Sequence, residues 1–593
     1  MNLSSTIKSI QDIMRKDDGV DGDAQRLGQL TWMLFLKVFD QREDDWEGDA
    51  QERGETYVSP LEAKFRWRNW AAYVPGKDGK KAPQKTPTEI IGFVNNELFP
   101  ALKELKADVE PIYNVIREVF RDANNYMKSG TQMLAVIEKL EEAINFHEFT
   151  TRSQLGKVYE QLLNDLRGAG NAGEFYTPRA ITEFMVDRVN PQLGKNEKIL
   201  DPACGTGGFL TAAIDHLRQQ RKIAEDEHRL QILVRGIEKK QLPHLLCTTN
   251  MLLHGIDVPS QIEHKNTLGK GWNEWSANDK VDCIITNPPF GGYEDNIAGS
   301  DYPPDLRTRE TADMFMALII KKLLKENGRA AVVLPDGFLF GDGIKGTLKK
   351  LLLRDCKLHT IVRLPKGVFA PYTTIKTNLL FFTKGERVDD GSDHFHTDTI
   401  WFYEHPYPAG YKSYSKTKPI RFEEFAPIQA WWGNEENNFA EREESERAWK
   451  VDFKSKREQA EAVAAPHWQR AEALNNAAAK LEGEASDLRK SLVGTLDAAH
   501  RETVELQIAG LRAQAEPLRL QARDAQAAGD RLYWPIFNLD LPNQRAPQEE
   551  THDPDVLLEK YKKLLGEIEE TENQLKSELA AALAHHFSPE AAA

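Results

Sequence analysis

The tetrapeptide Asn287-Pro288-Pro289-Phe290 directly follows an apolar run, Val281-Asp282-Cys283-Ile284-Ile285-Thr286. Its residue types suit one particular chemistry, attack by an exocyclic amine of a nucleic acid base. Such an amine is a poor nucleophile because its lone pair is delocalised into the ring. The side-chain oxygen of Asn287 and the backbone carbonyl of Pro288 can accept hydrogen bonds from both of its N–H groups. That draws the nitrogen towards tetrahedral geometry and frees the lone pair. The prolines fix the turn and remove competing backbone donors. Phe290 is then placed to stack on a base swung out of a duplex. What remains is a direct displacement at a sulfonium methyl, which needs positioning and electrostatics and no metal.

A second turn, upstream, fits the methyl donor. A short apolar run ends in Asp201-Pro202-Ala203-Cys204-Gly205-Thr206-Gly207-Gly208, at a strand-to-helix junction, where α/β sheets bind nucleotides. Gly205, Gly207 and Gly208, with Thr206 between them, let a ligand approach the backbone and leave helix N-terminal N–H groups free for an anion. S-adenosylmethionine has a carboxylate for those N–H groups and an ammonium for Asp201. At the end of the next run, Arg235-Gly236-Ile237-Glu238, the Glu238 carboxylate is suited to both ribose hydroxyls. Leu210 fills the slot where a dinucleotide fingerprint wants its third glycine, and no Gly-Lys-Ser or Gly-Lys-Thr phosphate loop occurs. Asn266-Thr267-Leu268 is a further candidate, for the donor's adenine.

The elements that must carry these turns are legible as patterns. Between about 150 and 425, short apolar runs alternate with helical segments. Predicted strands are Lys198–Leu200, Leu233–Ile237, Asp282–Thr286, Ala330–Leu334, His359–Leu364 and Asn378–Phe382, with helices such as Phe209–Arg221 and Asp313–Lys325 between them. That alternation predicts a doubly wound, mainly parallel, Rossmann-like sheet ending near residue 385. Residues 1–150 read as a helical domain, with Ile7, Ile10, Ile13 and Met14, then Leu27, Leu30, Leu34 and Val38, at helical spacing beside Trp32, Phe35 and Phe39. Residues 426–593 read as a C-terminal extension. Within it, Leu474, Leu481 and Leu488, then Val504, Leu511 and Leu518, recur every seven residues, which predicts an antiparallel helical hairpin or coiled coil over about 455–530. A last helix, near 553–583, carries Leu557, Tyr561, Leu564, Ile568, Leu575 and Leu579 on one side. An intramolecular contact and a partner helix both fit that stripe.

Bulk composition narrows the classes. The chain has 593 residues, 28% charged and 40% hydrophobic, an ordinary globular balance with material for three or more domains. No stretch approaches eighteen apolar residues, so no membrane span is expected. Met1-Asn2-Leu3-Ser4-Ser5 is not a charged-then-apolar leader, and the four cysteines lie far apart. Both point to the cytoplasm and neither to a metal site. His394 and His396 alternate in a predicted strand and read as exposed histidines, not a metal pair. The net charge is −15, whereas a chain that grips DNA alone usually carries a basic surplus. A partner is therefore expected to supply part of the DNA binding.

The order of Gly173-Glu174-Phe175-Tyr176-Thr177-Pro178-Arg179, the glycine turn and Asn-Pro-Pro-Phe resembles the gamma class of amino-group DNA methyltransferases, adenine-N6 members most closely. Leu334-Pro335-Asp336-Gly337, Leu364-Pro365-Lys366-Gly367-Val368-Phe369 with Lys376-Thr377-Asn378, and Phe537-Asn538-Leu539-Asp540-Leu541 make nearly the whole chain similar to the modification subunit of type I restriction–modification systems. The resemblance implies a site-specific adenine-specific DNA methyltransferase (EC 2.1.1.72) acting on double-stranded DNA with base flipping. It also implies that Glu174, Phe175, Tyr176, Thr177, Pro178 and Arg179 close over S-adenosylmethionine. A separate specificity subunit would dock on the terminal helix, two copies of this chain would serve each specificity subunit, and cleavage and translocation would belong to a restriction subunit. Cys204 stands where many relatives carry alanine, and the long hairpin looks like an insertion that is a spacer, a specificity-subunit contact or a second partner site. A stand-alone type II adenine methyltransferase, an RNA or protein amino-group methyltransferase, and a cofactor-binding scaffold are the rival readings.

Overall fold

A computed structural model describes residues 3–75, 81–106, 110–143, 176–294, 301–387, 394–415, 417–492, 498–545 and 554–586. The first part is helical, as the apolar spacing predicts. Helices Leu3–Met14, Asp23–Glu52, Pro111–Phe120 and Gly130–Ala143 enclose a core rich in large aromatics. Trp32 meets Phe99 edge-on at 5.2 Å and Phe35 meets Phe120 at 5.8 Å, the geometry that ring quadrupoles favour. A small hairpin of β1 (Val74–Pro75) and β2 (Lys81–Ala82) interrupts the helices. The same core takes in Leu245, Leu246 and Leu252 from the helix Gln241–Leu253, so the helical part packs on a helix of the sheet domain, while the strands themselves belong to two further cores.

The sheet is built from β3 (Ile199–Asp201), β4 (Val234–Glu238), β5 (Ile262–His264), β6 (Val281–Thr286), β7 (Leu324–Pro335), β8 (Cys356–Arg363), β9 (Thr377–Lys384), β10 (Thr399–Glu404) and β11 (Ala448–Asp452). Their spatial order is β11-β10-β8-β9-β7-β6-β3-β4-β5. The β3–β4, β3–β6, β4–β5, β6–β7 and β8–β10 pairs are parallel, while β7–β9, β8–β9 and β10–β11 are antiparallel. Parallel pairing dominates, so the carboxyl ends of β3, β4, β6 and β7 all open on one edge, where ligands of such sheets bind. The central strands are apolar on both faces because helices cover both.

Three expectations need correcting. The sheet does not end near 385: β10 and β11 extend it to Asp452, and β5 was not foreseen. These are short, and β11, Ala448-Trp449-Lys450-Val451-Asp452, is half polar because it forms the edge. Second, the helix expected over Asp313–Lys325 runs Thr311–Leu318, continues as a π turn to Leu323, and gives way to β7 at Leu324. Third, His394 and His396 lie before β10, not on it.

Helices Phe453–Ser491 and Ala498–Tyr533 form the expected antiparallel hairpin, Arg519 reaching Glu482 and Trp468 reaching Asp530. Its seam is not leucine. Ala464, Ala471, Ala478 and Ala485 are buried, facing Val504, Ile508, Ala515 and Ala522, while Leu474, Leu481 and Leu488 sit half-buried at the flanks. A methyl at each seven-residue step lets two helices approach closely, and the leucines then cover the margins.

Residues 543–593 form a second unit, a helix over Pro554–His586. Tyr561, Leu564, Ile568, Leu575 and Leu579 are exposed on it. No helix among the described residues is long and apolar enough to cross a membrane.

Candidate active site

A cleft of about 300 Å³ opens at the carboxyl edge of the sheet, lined by residues of both sequence turns. Its floor follows from strand order. β3 lies between β4 and β6, with Leu200 level with Ile284 and with Arg235, so the residues ending these three strands must meet. Those residues are Asp201, Glu238 and Thr286, with Asn287 following Thr286 directly.

Asp201 ends β3 with its carboxylate 1% exposed. It accepts hydrogen bonds from the Thr286 hydroxyl at 2.6 Å and the Ala203 N–H at 3.1 Å. Burial outweighs these bonds, and the nearby Glu238 charge adds to it, so the Asp201 carboxyl is pushed up to about 7. Glu238 accepts the Gly205 N–H at 3.0 Å and the Lys240 N–H at 2.7 Å; burial also pushes its carboxyl up. Glu238 therefore pins the glycine turn as well as facing the cleft, a role the sequence did not signal.

The turn itself needs its glycines. Gly205 and Gly207 have positive φ, 53° and 82°, and a Cβ on Gly207 would lie 2.8 Å from the Cys247 sulfur. Gly208 begins the helix Gly208–Gln219, whose first N–H groups have no intrahelical acceptor, an arrangement that favours an anion. Cys204 and Cys247 pack their sulfurs 3.8 Å apart behind the turn, the hydrogen bond to Cys247 and then burial holding the Cys204 thiol well above its usual range.

Across the cleft, the Asn287-Pro288-Pro289-Phe290 turn leaves β6. Thr311 clamps it, its hydroxyl donating to the Pro289 carbonyl at 2.9 Å and its N–H to the Gly292 carbonyl at 3.0 Å. The Asn287 Nδ2 donates to the Thr177 hydroxyl at 3.1 Å, while its Oδ1 is buried with no partner. A buried acceptor left unmade costs roughly 1–3 kcal/mol, a cost that a ligand N–H would remove. Phe290 and Phe369 stand at 78° with centroids 6.3 Å apart. Phe369, from the Leu364–Phe369 motif, is a buried core residue against which Phe290 packs.

Of the segment Glu174–Arg179, Glu174 and Phe175 lie outside the described residues. Thr177 lines the cleft. Tyr176 instead is buried in the helical core, Pro178 caps the helix Arg179–Val189, and the Arg179 guanidinium donates to the Gly208 carbonyl and the Thr211 hydroxyl. These three hold the segment in place. Asn266, Thr267 and Leu268 line the cleft, as do Lys239, Lys240, Lys265 and Glu294. The last four carry no local motif; Lys239 and Asn266 reach Glu294 only through the fold. No group of three or more metal-ligating side chains occurs among the described residues.

Fold and site together define an N-6 DNA methylase: the family model of that description matches residues 150–476, and that of the HsdM N-terminal domain matches residues 3–140. The chain is 47% identical over 587 residues to the Type I restriction enzyme EcoEI methylase subunit of Escherichia coli, covering 98% of this chain and 99% of that one. The crystal structure of a modification subunit of a proposed type I restriction enzyme from Vibrio vulnificus YJ016 is 40% identical, with a TM-score of 0.63, over 76% of this chain and 92% of that one. A chain from a structural study of complex assembly and conformational transition in the type I R-M system is 30% identical, with a TM-score of 0.66, over 98% and 99%. The chain belongs to the type I restriction enzyme methylase (modification) subunits.

Proposed function

We propose that this modification subunit transfers a methyl group from S-adenosylmethionine to N6 of an adenine swung out of double-stranded DNA, at sequences chosen by a separate specificity subunit. The observation that carries the reading is the buried, unpartnered Oδ1 of Asn287 at a cleft that also holds two buried carboxylates. The donor set fits the cofactor: Asp201 for its ammonium, the N–H groups at the start of Gly208–Gln219 for its carboxylate, Glu238 for its ribose, and Leu268 beside its adenine. When bound, S-adenosylmethionine supplies an electrophilic methyl on sulfonium. Asn287 Oδ1 and the Pro288 carbonyl hold the two N6 protons and free the lone pair. Phe290 stacks on the adenine, and the perpendicular Phe369 limits its tilt.

The chain divides in this reading into 1–150, 151–425 and 426–593, with β11 of the last stretch completing the sheet of the second. Exposed apolar residues of Pro554–His586 support docking of the specificity subunit on that helix, with a restriction subunit completing the assembly and two copies of this chain per specificity subunit. The relatives' naming as type I subunits supports this partnership and a cytoplasmic setting.

The test is base-modification sequencing of DNA from a methylation-free host. The host expresses this chain alone, this chain with its neighbouring gene products, and the full set with Asn287→Ala. N6-methyladenine at a two-part motif only in the full wild-type set is the expected result. Methylation by the chain alone would make it a self-contained enzyme, and no modified adenine in any set would overturn the DNA substrate.

A further inference from the structure

We propose that Thr177 is a positioning residue for Asn287, and that Tyr176 makes this placement depend on the helical N-terminal part of the chain. The inference rests on the catalytic role given above to Asn287. An asparagine amide presents an acceptor at one end and donors at the other. It assists an amine only when its oxygen faces the cleft. Here the Nδ2 end is held at 3.1 Å by the Thr177 hydroxyl, which fixes the amide plane and leaves Oδ1 as the end without a protein partner. Turned over, the amide would aim N–H groups at the N–H groups of the substrate.

Thr177 is itself gripped from both sides. Tyr176, 7% exposed, belongs to the same hydrophobic core as Trp32, Phe35, Phe99 and Phe120 of the helical part. On the other side, Pro178 opens the helix Arg179–Val189, and Arg179 is tied to the Gly208 carbonyl at the cofactor turn. Tyr176, Thr177 and Arg179 thus join three things: the N-terminal core, the catalytic amide and the start of the cofactor helix. A shift of the helical part against the sheet has a direct route to Asn287 and needs no other relay. Methyl transfer is then fast only when that part is seated.

The expected loss is that of one neutral hydrogen bond, roughly two- to tenfold in rate. The experiment uses the full chain in complex with its specificity subunit. It measures single-turnover methylation of a duplex and, separately, the S-adenosylmethionine Kd. Thr177→Val lowers the transfer rate two- to tenfold with Kd changed less than about twofold, and Thr177→Ser restores it, because serine keeps the hydroxyl. Tyr176→Ala lowers the rate similarly and adds little on top of Thr177→Val, since both act through one bond. Thr177→Val that weakens cofactor binding at unchanged rate, Thr177→Ser as poor as valine, or fully additive losses would each overturn the proposal. Asn287→Ala in the same preparation separates the two layers. If it methylates at the wild-type rate, the catalytic reading itself falls. If it is inactive while Thr177→Val is unimpaired, only the positioning role falls.

Discussion

Asp201 offers the sharpest quantitative test. Its carboxyl titrates at about 7 without ligand because burial disfavours the charge more than the Thr286 and Ala203 hydrogen bonds favour it. A cofactor ammonium needs the ionised form, so binding below pH 7 must expel a proton. One pH unit below the midpoint, about one tenth of the protein is ready, and the S-adenosylmethionine Kd should be roughly tenfold weaker than its plateau above pH 8. Asp201→Asn keeps an acceptor but loses the charge. A hydrogen bond to a charged group contributes about 1.5–3 kcal/mol, so the variant should bind roughly ten- to 150-fold more weakly at pH 8, with no slope between pH 6 and 8. Isothermal titration in buffers of different ionisation enthalpy measures both the Kd and the proton released, which should approach one proton per site at pH 6 and vanish at pH 8. A linked sign follows for the ligand-free protein. The folded state holds the Asp201 proton after the unfolded chain has lost its own, so this group's contribution to stability falls as pH rises from 3.8 towards 7. The reasoning fails if wild-type affinity is flat from pH 6 to 8, or if Asp201→Asn binds as well as wild type.

Four further outcomes follow. Asn287→Ala should lower the single-turnover methylation rate by about 10²–10³-fold, as loss of a preorganised charge-stabilising contact does, while S-adenosylmethionine Kd stays close to wild type. Gly207→Ala places a Cβ at positive φ and against Cys247; left-handed backbone alone costs roughly 1–2 kcal/mol, so both Tm and cofactor affinity should drop. In the hairpin, Ala478→Leu overfills a fully buried position and should cost about 1–3 kcal/mol, whereas Leu474→Ala, at a half-buried flank, should cost less; thermal melts of the two variants should rank them in that order. Removing residues 543–593 should leave the Tm of the remaining fold near wild type, because that segment is a separate unit. Pull-down by the specificity subunit should be lost, and capture at wild-type strength would move the docking surface elsewhere.

Much of this protein is set by local sequence. The strand-turn-helix at Asp201–Gly208 and the rigid Asn-Pro-Pro-Phe turn after β6 are short-range structures, dictated by glycine and proline stereochemistry and by continuous apolar runs. The central strands and the two turns that line the cleft were therefore legible at once. What depends on strand order was not. The chain alone does not say that β3 inserts between β4 and β6, and only that order brings Thr286 to Asp201 and Gly205 to Glu238. The edge strand β11 escaped notice because an edge needs no continuous apolar run to bury, whereas β10, paired on both sides, is an apolar run that lies beyond the expected end of the sheet. The hairpin itself was legible from its seven-residue spacing, but its seam was not. Leucine repeats are conspicuous, yet helix–helix distance is decided by whichever residue is smallest at the crossing, and that residue is alanine. Thr177 is the clearest case: its segment was marked for the cofactor by resemblance, but the hydroxyl that meets Asn287 does so across 110 residues of sequence. A contact of that kind carries no local periodicity or turn chemistry. It exists only once the helical part has packed Tyr176 into its core and the sheet has brought β6 alongside.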